Sequence, residues 1–226
     1  DWSHAQSAVV AHVSTEKPHA ATAWQSFLPG GPLALLPLAD GRSSLVWSCP
    51  TEQAQQLLEM DDMAFDRELS AALQGVLGDV HCTTSRMSFP LATGYAERYS
   101  GRRFALLGDA AHRVHPLAGQ GVNLGLLDAA SLAETLLAHL SLAAADPGDP
   151  LALRRFERNR KGENMLALGT LDAINRAFSG PARDIAGRGL GIVDRLTPLK
   201  FRLARFAMGR RTVLPAAAWV KEPAGD

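Results

Sequence analysis

Cysteine is nearly absent from this chain. Cys49 and Cys82 are the only two in 226 residues. Two thiols so far apart make no disulfide framework, which favours a reducing compartment, the cytoplasm. They are too few to build a metal site, and packing is the role they suit. Net charge is also absent: 23 basic residues balance 23 acidic ones. Bulk charge therefore gives no reason to expect nucleic acid as a partner. No apolar run reaches membrane-spanning length, and the start at Asp1 has no leader pattern. No βαβ unit with a G-x-G-x-x-G turn is present either, so nothing here has the usual cradle for a dinucleotide pyrophosphate. What remains, 46% hydrophobic and 20% charged, suits one or two soluble globular domains with a real core.

The most informative stretch runs from Arg103 to Asp128. Phe104-Ala105-Leu106-Leu107 is short and wholly apolar, as expected of a strand buried on both faces of a parallel sheet. It gives out at Gly108-Asp109, placing a carboxylate at the strand edge where ligands bind in open α/β sheets. A loop from His112 to Pro116 leads to the turn Gly119-Gln120-Gly121-Val122-Asn123-Leu124-Gly125. A long helical pattern follows. Asp128, Ser131, Thr135 and His139 recur at three and four, with Leu126, Ala129, Ala130, Ala133, Leu136, Leu137 and Leu140 on the other faces. Small residues at a helix start let a flat ligand approach the backbone. The unpaired N–H groups there favour an anion or an electron-rich carbonyl. An ionised Asp accepts hydrogen bonds from sugar hydroxyls. The glycines alone fit an ordinary tight turn equally well. Strand, Gly-Asp, His-Pro, glycine turn, Asn and helix together point to a polyhydroxylated, partly anionic cofactor.

Gly108-Asp109-Ala110-Ala111-His112, then His115-Pro116-Leu117-Ala118-Gly119-Gln120-Gly121-Val122-Asn123-Leu124-Gly125 and Asp128, resemble the second flavin motif of the FAD-dependent aromatic hydroxylases. Within that family the likeness is greatest to the ubiquinone-biosynthesis hydroxylases, and it extends from Trp24 to Gly209. The resemblance implies FAD as cofactor, with NAD(P)H and O2 as co-substrates. It implies that Asp109 holds the ribityl chain and that Pro116 lies near the flavin ring. Backbone N–H groups across Gly119, Gln120, Gly121, Val122 and Asn123 would face the N1–C2=O edge. The implied reaction is hydroxylation of a polyprenylated phenol or benzoquinol through a flavin C4a-hydroperoxide. It further implies that this chain is the C-terminal portion of a larger flavoprotein, inactive alone, whose missing N-terminal half completes the cofactor site. No residue is assigned as general base. His112 and His115 stand near the implied ring position, but nothing in the sequence orients either one.

The remaining segments give an α+β and α/β mixture. Ala8–Val13, Ala23–Phe27, Pro32–Leu38 and Ser43–Ser48 read as strands, with a turn at Lys17-Pro18-His19 and a hairpin at Asp40-Gly41. They predict an antiparallel sheet, with Trp24, Phe27, Trp47 and Phe89 mostly in its core. Thr51 is the expected N-cap of a helical segment that runs to Leu77, broken near Asp61-Asp62. His81–Phe89 reads as one further strand, stopped by Pro90. Past the break at Asp146–Pro150, helical pattern runs from Arg154 to Ser179, then from Ala182 to Leu196, and a last helix starts at Thr197-Pro198. The expected domains are 1–94, a substrate-domain sheet with helices; 95–143, a strand-helix piece of an FAD-binding domain; and 144–226, C-terminal helices.

Between Arg195 and Lys221 there is no acidic residue, and Leu199, Leu203, Phe206 and Ala207 share a side, with Arg202 and Arg205 elsewhere. Such a tail suits either a membrane-surface anchor or a terminal helix packed on its own domain. An anchor would place the protein peripherally at the inner membrane, where a polyprenyl substrate resides. A homo-oligomer or a biosynthetic complex is a further partner option. Two alternatives to the quinone reading stay open: a flavoprotein hydroxylase of a soluble aromatic, and a non-catalytic scaffold module.

Overall fold

The computed structural model describes residues 2–116, 119–141, 146–179, 183–198, 200 and 201. The chain forms two compact units. One comprises 2–92 and 174–186, the other 93–173 and the residues from 187 onward. The division falls inside one strand and inside one long helix.

The first unit is built on an antiparallel sheet. Its strands are β1 (Trp2–Thr15), β2 (Trp24–Leu28), β3 (Gly31–Pro37) and β4 (Ser43–Pro50), in the order β2-β3-β4-β1. Register sets Val9 opposite Trp47 and Ala11 opposite Leu45, so the alternate residues of both strands bury on one face. The hairpin expected at Asp40-Gly41 closes β3 onto β4. Gly41 has φ +88°, and the Asp40 carboxylate accepts from the Arg42 N–H.

Two helices cover the buried face, α1 (Thr51–Glu59) and α2 (Asp62–Ala72), adding Ala54, Leu57, Phe65 and Leu69 to the core. The break between them is where the paired aspartates placed it. Asp61 is the N-cap of α2 and accepts from the Ala64 N–H at 2.7 Å. Arg86 satisfies the carbonyls left over at the end of α1, donating to Leu57 and Met60, while its guanidinium lies over the Phe65 ring.

Several local expectations need correction. Thr51 is the first helical residue and not a cap; its hydroxyl lies 3.3 Å from that of Ser7. Helical structure stops at Ala72, and turns fill the chain to Asp79. The single strand expected over 81–89 is two, β5 (Val80–Cys82) and β6 (Met87–Tyr95), and β6 runs straight through Pro90. Its first four residues are exposed, so a missing N–H there costs little. Of the four aromatics expected in the core, Trp47 is buried there. Phe27 is half-buried and stacks on Phe178 at 4.2 Å, whereas Trp24 and Phe89 are exposed.

The second unit contains β7 (Ser100–Gly101), β8 (Phe104–Ala105), β9 (His112–Arg113), α3 (Gln120–Leu140) and most of α4 (Pro150–Ser179). Asp149 caps α4 by accepting from the Leu151 N–H at 2.6 Å. The strand after Arg103 is shorter than expected. Among the described residues β8 pairs with β7 alone, antiparallel, and Phe104 is exposed rather than buried on two faces. One buried cluster of this unit joins Tyr99, Ala111 and Phe156, with Leu106, Leu107 and Leu132 against them, and Leu124, Leu153 and Leu168 are buried as well. α5 (Arg183–Arg195) follows α4. Among the described residues no helix is long and apolar enough to cross a membrane. The basic apolar tail from Arg202 onward, and Leu199, lie outside the described residues.

Candidate functional site

The site lies where the Gly-Asp segment meets the start of α3. Gly108 and Asp109 open a 3-10 turn, Gly108–Ala110, and Gly108 has φ +53°, a conformation that favours glycine. Gly125, one turn into α3, passes against it. A Cβ built on Gly125 would lie 3.2 Å from the Gly108 Cα, so two glycines let strand end and helix meet backbone to backbone.

Gly119, the N-cap of α3, is left-handed at φ +60°, its N–H donates to the Pro116 carbonyl at 3.1 Å, and among the described residues no side chain caps the helix. A Cβ on Gly119 would meet nothing within 4 Å. Val122 and Asn123 are exposed in the first turn. Asp109 is exposed too, and its Oδ1 lies 4.0 Å from where a Gly121 Cβ would be. The carboxylate therefore faces the glycine turn, and Asp109 and Gly121 come together in space. Pro116 is half-buried at the end of the preceding loop. A helix start with no side-chain cap among the described residues, the exposed Asp109 carboxylate and small residues between them suit a ligand with hydroxyls on one side and an electron-rich carbonyl edge on the other. A flavin with its ribityl chain has that donor and acceptor pattern.

Behind this open surface is a buried polar cluster centred on Asp128. Its carboxylate accepts four bonds: from the Gly108 N–H at 3.1 Å, His112 Nε2 at 2.6 Å, Arg160 Nε at 2.8 Å and Asn164 Nδ2 at 3.0 Å. Arg160 also donates to Asn164 Oδ1 at 2.9 Å and to Glu163. Burial alone would raise the Asp128 carboxyl, but the bonds from His112, Asn164, Arg160 and Gly108 outweigh it and hold it below the usual carboxylate range. An ionised carboxylate only accepts, so His112 carries its proton on Nε2. Nδ1 of His112 is buried without a hydrogen-bond partner among the described residues. Tyr99 lies beside the imidazole, ring centroids 6.1 Å apart, and burial pushes its phenol up.

The expectation that nothing orients His112 is thus corrected: Asp128 orients it. Both His112 and His115 are buried. The polar repeat along α3 was visible in sequence, but its direction was not. Asp128 and Ser131 face inward, while Val122, Leu126 and Leu137 are exposed. Arg160 and Asn164, one helical turn apart in a polar run, gave no sign of being buried; their i, i+4 spacing was the available signal.

The fold is one shared with PqsL from P. aeruginosa, a probable FAD-dependent monooxygenase. The structure of PqsL from P. aeruginosa, in complex with 2-aminobenzoylacetate, superposes with a TM-score of 0.65 at 27% identity, covering 80% of this chain and 50% of PqsL. The chain belongs to the FAD binding domain family, whose model matches residues 3–160. It is 42% identical over 209 residues to ubiquinone hydroxylase UbiL of Rhodospirillum rubrum, covering 91% of this chain and 48% of UbiL. It is 38% identical over 250 residues to the mitochondrial ubiquinone biosynthesis monooxygenase COQ6 of Mus musculus, covering 91% and 51%. The chain thus spans about half the length of these relatives.

Proposed function

We propose that the protein to which this chain belongs is an FAD-dependent, NAD(P)H- and O2-using monooxygenase that hydroxylates the ring of a polyprenylated phenol or benzoquinol in ubiquinone biosynthesis. The observation that carries this reading is the start of α3 behind a left-handed Gly119, uncapped by any side chain among the described residues, with the exposed carboxylate of Asp109 turned toward it. The names of the relatives UbiL and COQ6 support the substrate class.

The redox chemistry with NAD(P)H and O2 belongs to the flavin when it is bound. The chain's own residues bind and tune. Asp109 accepts hydrogen bonds from ribityl hydroxyls. Pro116 borders the ring. The N–H groups at the start of α3, from Gln120 through Gly121, Val122 and Asn123, would face the carbonyl edge, where the helix terminus favours negative charge, while that of Gly119 donates to the Pro116 carbonyl at 3.1 Å. Asp128 fixes the backbone of Gly108 and the Nε2 proton of His112 from behind.

In this reading residues 1–94 form the substrate-domain sheet, 95–143 the end of the FAD-binding domain and 144–226 the C-terminal helices. The N-terminal half supplies the pyrophosphate and adenosine contacts. The exposed apolar row Val122, Leu126 and Leu137 suits burial by such a further segment. The protein works in the cytoplasm, peripheral at the inner membrane, where its substrate lies, as a homo-oligomer or within a biosynthetic complex. Hydroxylation of a soluble aromatic is the second reading, favoured by the small ligand in the PqsL complex. Assay of the full-length protein with a prenylated phenol against its unprenylated counterpart separates the two: activity on the prenylated compound alone supports the first reading, and activity on the soluble one alone replaces it.

A further inference from the structure

The turn between β6 and β8 and the first turns of α4 enclose a cleft of ≈ 790 Å³. Arg98, Arg102, Arg154, Arg158 and Lys161 line it, with Glu157 as the sole acidic residue. In a chain with zero net charge this is a steep local excess. The carboxylate is already committed. Glu157 accepts from Ser100 N at 3.1 Å and Ser100 Oγ at 2.6 Å. Burial would raise its pKa, but these bonds and nearby Lys161 hold it below the usual range, so it stays ionised.

The four arginines have no hydrogen-bond or ion-pair partner among the described residues. Their neighbours differ. Arg103 is paired twice to Asp146, and Arg160 is bound in the Asp128 cluster. Arg154 and Arg158 stand one helical turn apart on α4, where like charges repel. The loop carrying Arg98 and Arg102 is fixed in place. Tyr99 between them is buried, its carbonyl accepts from the Leu106 N–H at 2.7 Å, Ser100 is held by Glu157, and Lys161 donates to the Glu97 carbonyl. Two rigid backbones thus aim four unpaired guanidinium groups into one concavity. Guanidinium forks match phosphate oxygens in pairs, and a phosphate dianion would offset the repulsion among them. The volume is that of a small-molecule site.

We propose that this cleft binds a phosphate-bearing ligand, either the headgroup of an anionic phospholipid at a bilayer surface or a soluble phosphorylated compound. It is separate from the glycine turn of α3 and goes beyond the flavin reading.

The test uses the full-length protein and two probes. Inorganic pyrophosphate is titrated by calorimetry, and vesicles of phosphatidylcholine and phosphatidylglycerol in equal parts are used in flotation. Arg154→Glu/Arg158→Glu removes two cleft cations. Arg67→Glu/Arg155→Glu makes the same change in net charge at exposed positions outside the cleft. The expected result is binding of at least one probe by the wild type and the control, weakened roughly tenfold or more in the cleft variant. Loss of pyrophosphate binding identifies a soluble ligand, and loss of flotation alone a lipid headgroup. Circular dichroism and bound flavin report whether the variants fold. Binding of neither probe by the wild type, or equal losses in cleft and control variants, overturns the proposal.

Discussion

Nε2 of His112 lies 2.6 Å from Oδ2 of Asp128, sixteen residues along the chain, with both side chains fully buried. The same carboxylate binds Arg160 and Asn164 on α4 and the N–H of Gly108 in the Gly-Asp segment. One residue thus ties two helices to the loop that presents Asp109.

Removing Asp128 leaves the Arg160 guanidinium buried with only its Glu163 and Asn164 contacts. Asp128→Ala should lower the unfolding free energy by about 3–5 kcal/mol, the range for breaking a buried ion pair from one side. Denaturant unfolding of the full-length protein checks this. A loss under about 1 kcal/mol would place the pair in a solvated setting.

The same group gives a pH signature. Its carboxyl is held below the ordinary range in the folded state, so the folded protein binds fewer protons than the unfolded chain there. Its contribution is complete above the unfolded value of about 4 and drains away as pH falls toward the folded value. Unfolding free energy measured across this acid range should fall more steeply for wild type than for Asp128→Asn. Parallel profiles would remove Asp128 as the source.

Asp109→Ala should act on the cofactor and not on the fold, because the side chain is exposed. Loss of a charge-assisted hydrogen bond should weaken FAD retention by about 2 kcal/mol. Equilibrium dialysis of FAD against the full-length variant reads the change directly, and unaltered affinity would remove its ribityl role.

Gly125→Val forces side-chain atoms into the Gly108 backbone, already 3.2 Å from a bare Cβ. It should cost about 1–3 kcal/mol of stability and reduce flavin content as the two segments part. Thermal melts together with flavin-to-protein ratios test both.

Cys49 is buried in the sheet core, and burial pushes its thiol up to about 11. It should resist alkylation near neutral pH until the protein unfolds, while half-buried Cys82 reacts first. Mass-spectrometric mapping after a short iodoacetamide pulse distinguishes the two thiols.

The sequence made the local features of the candidate site legible because each is read from neighbouring positions. A glycine turn, an Asp after a strand and a helix start are read from adjacent positions, and the structure places Asp109 beside Gly121. The sheet strands and the Asp61-Asp62 break were legible through alternation and capping. The Asp128 cluster was not. Its members lie far apart in sequence, and periodicity gives a helix a polar face without saying which way it turns. β8 misled for a related reason: an apolar run signals burial, but Phe104 is exposed in an antiparallel pair. Trp24 and Phe89 failed likewise, since strand character does not fix the buried face.

Flavin binding shows first in the visible absorption spectrum of the full-length protein, purified from its own start codon. The expected result is a yellow protein with bound FAD, bleached by NAD(P)H and recoloured by air. A colourless protein that takes up no added FAD would contradict it and leave a scaffold module.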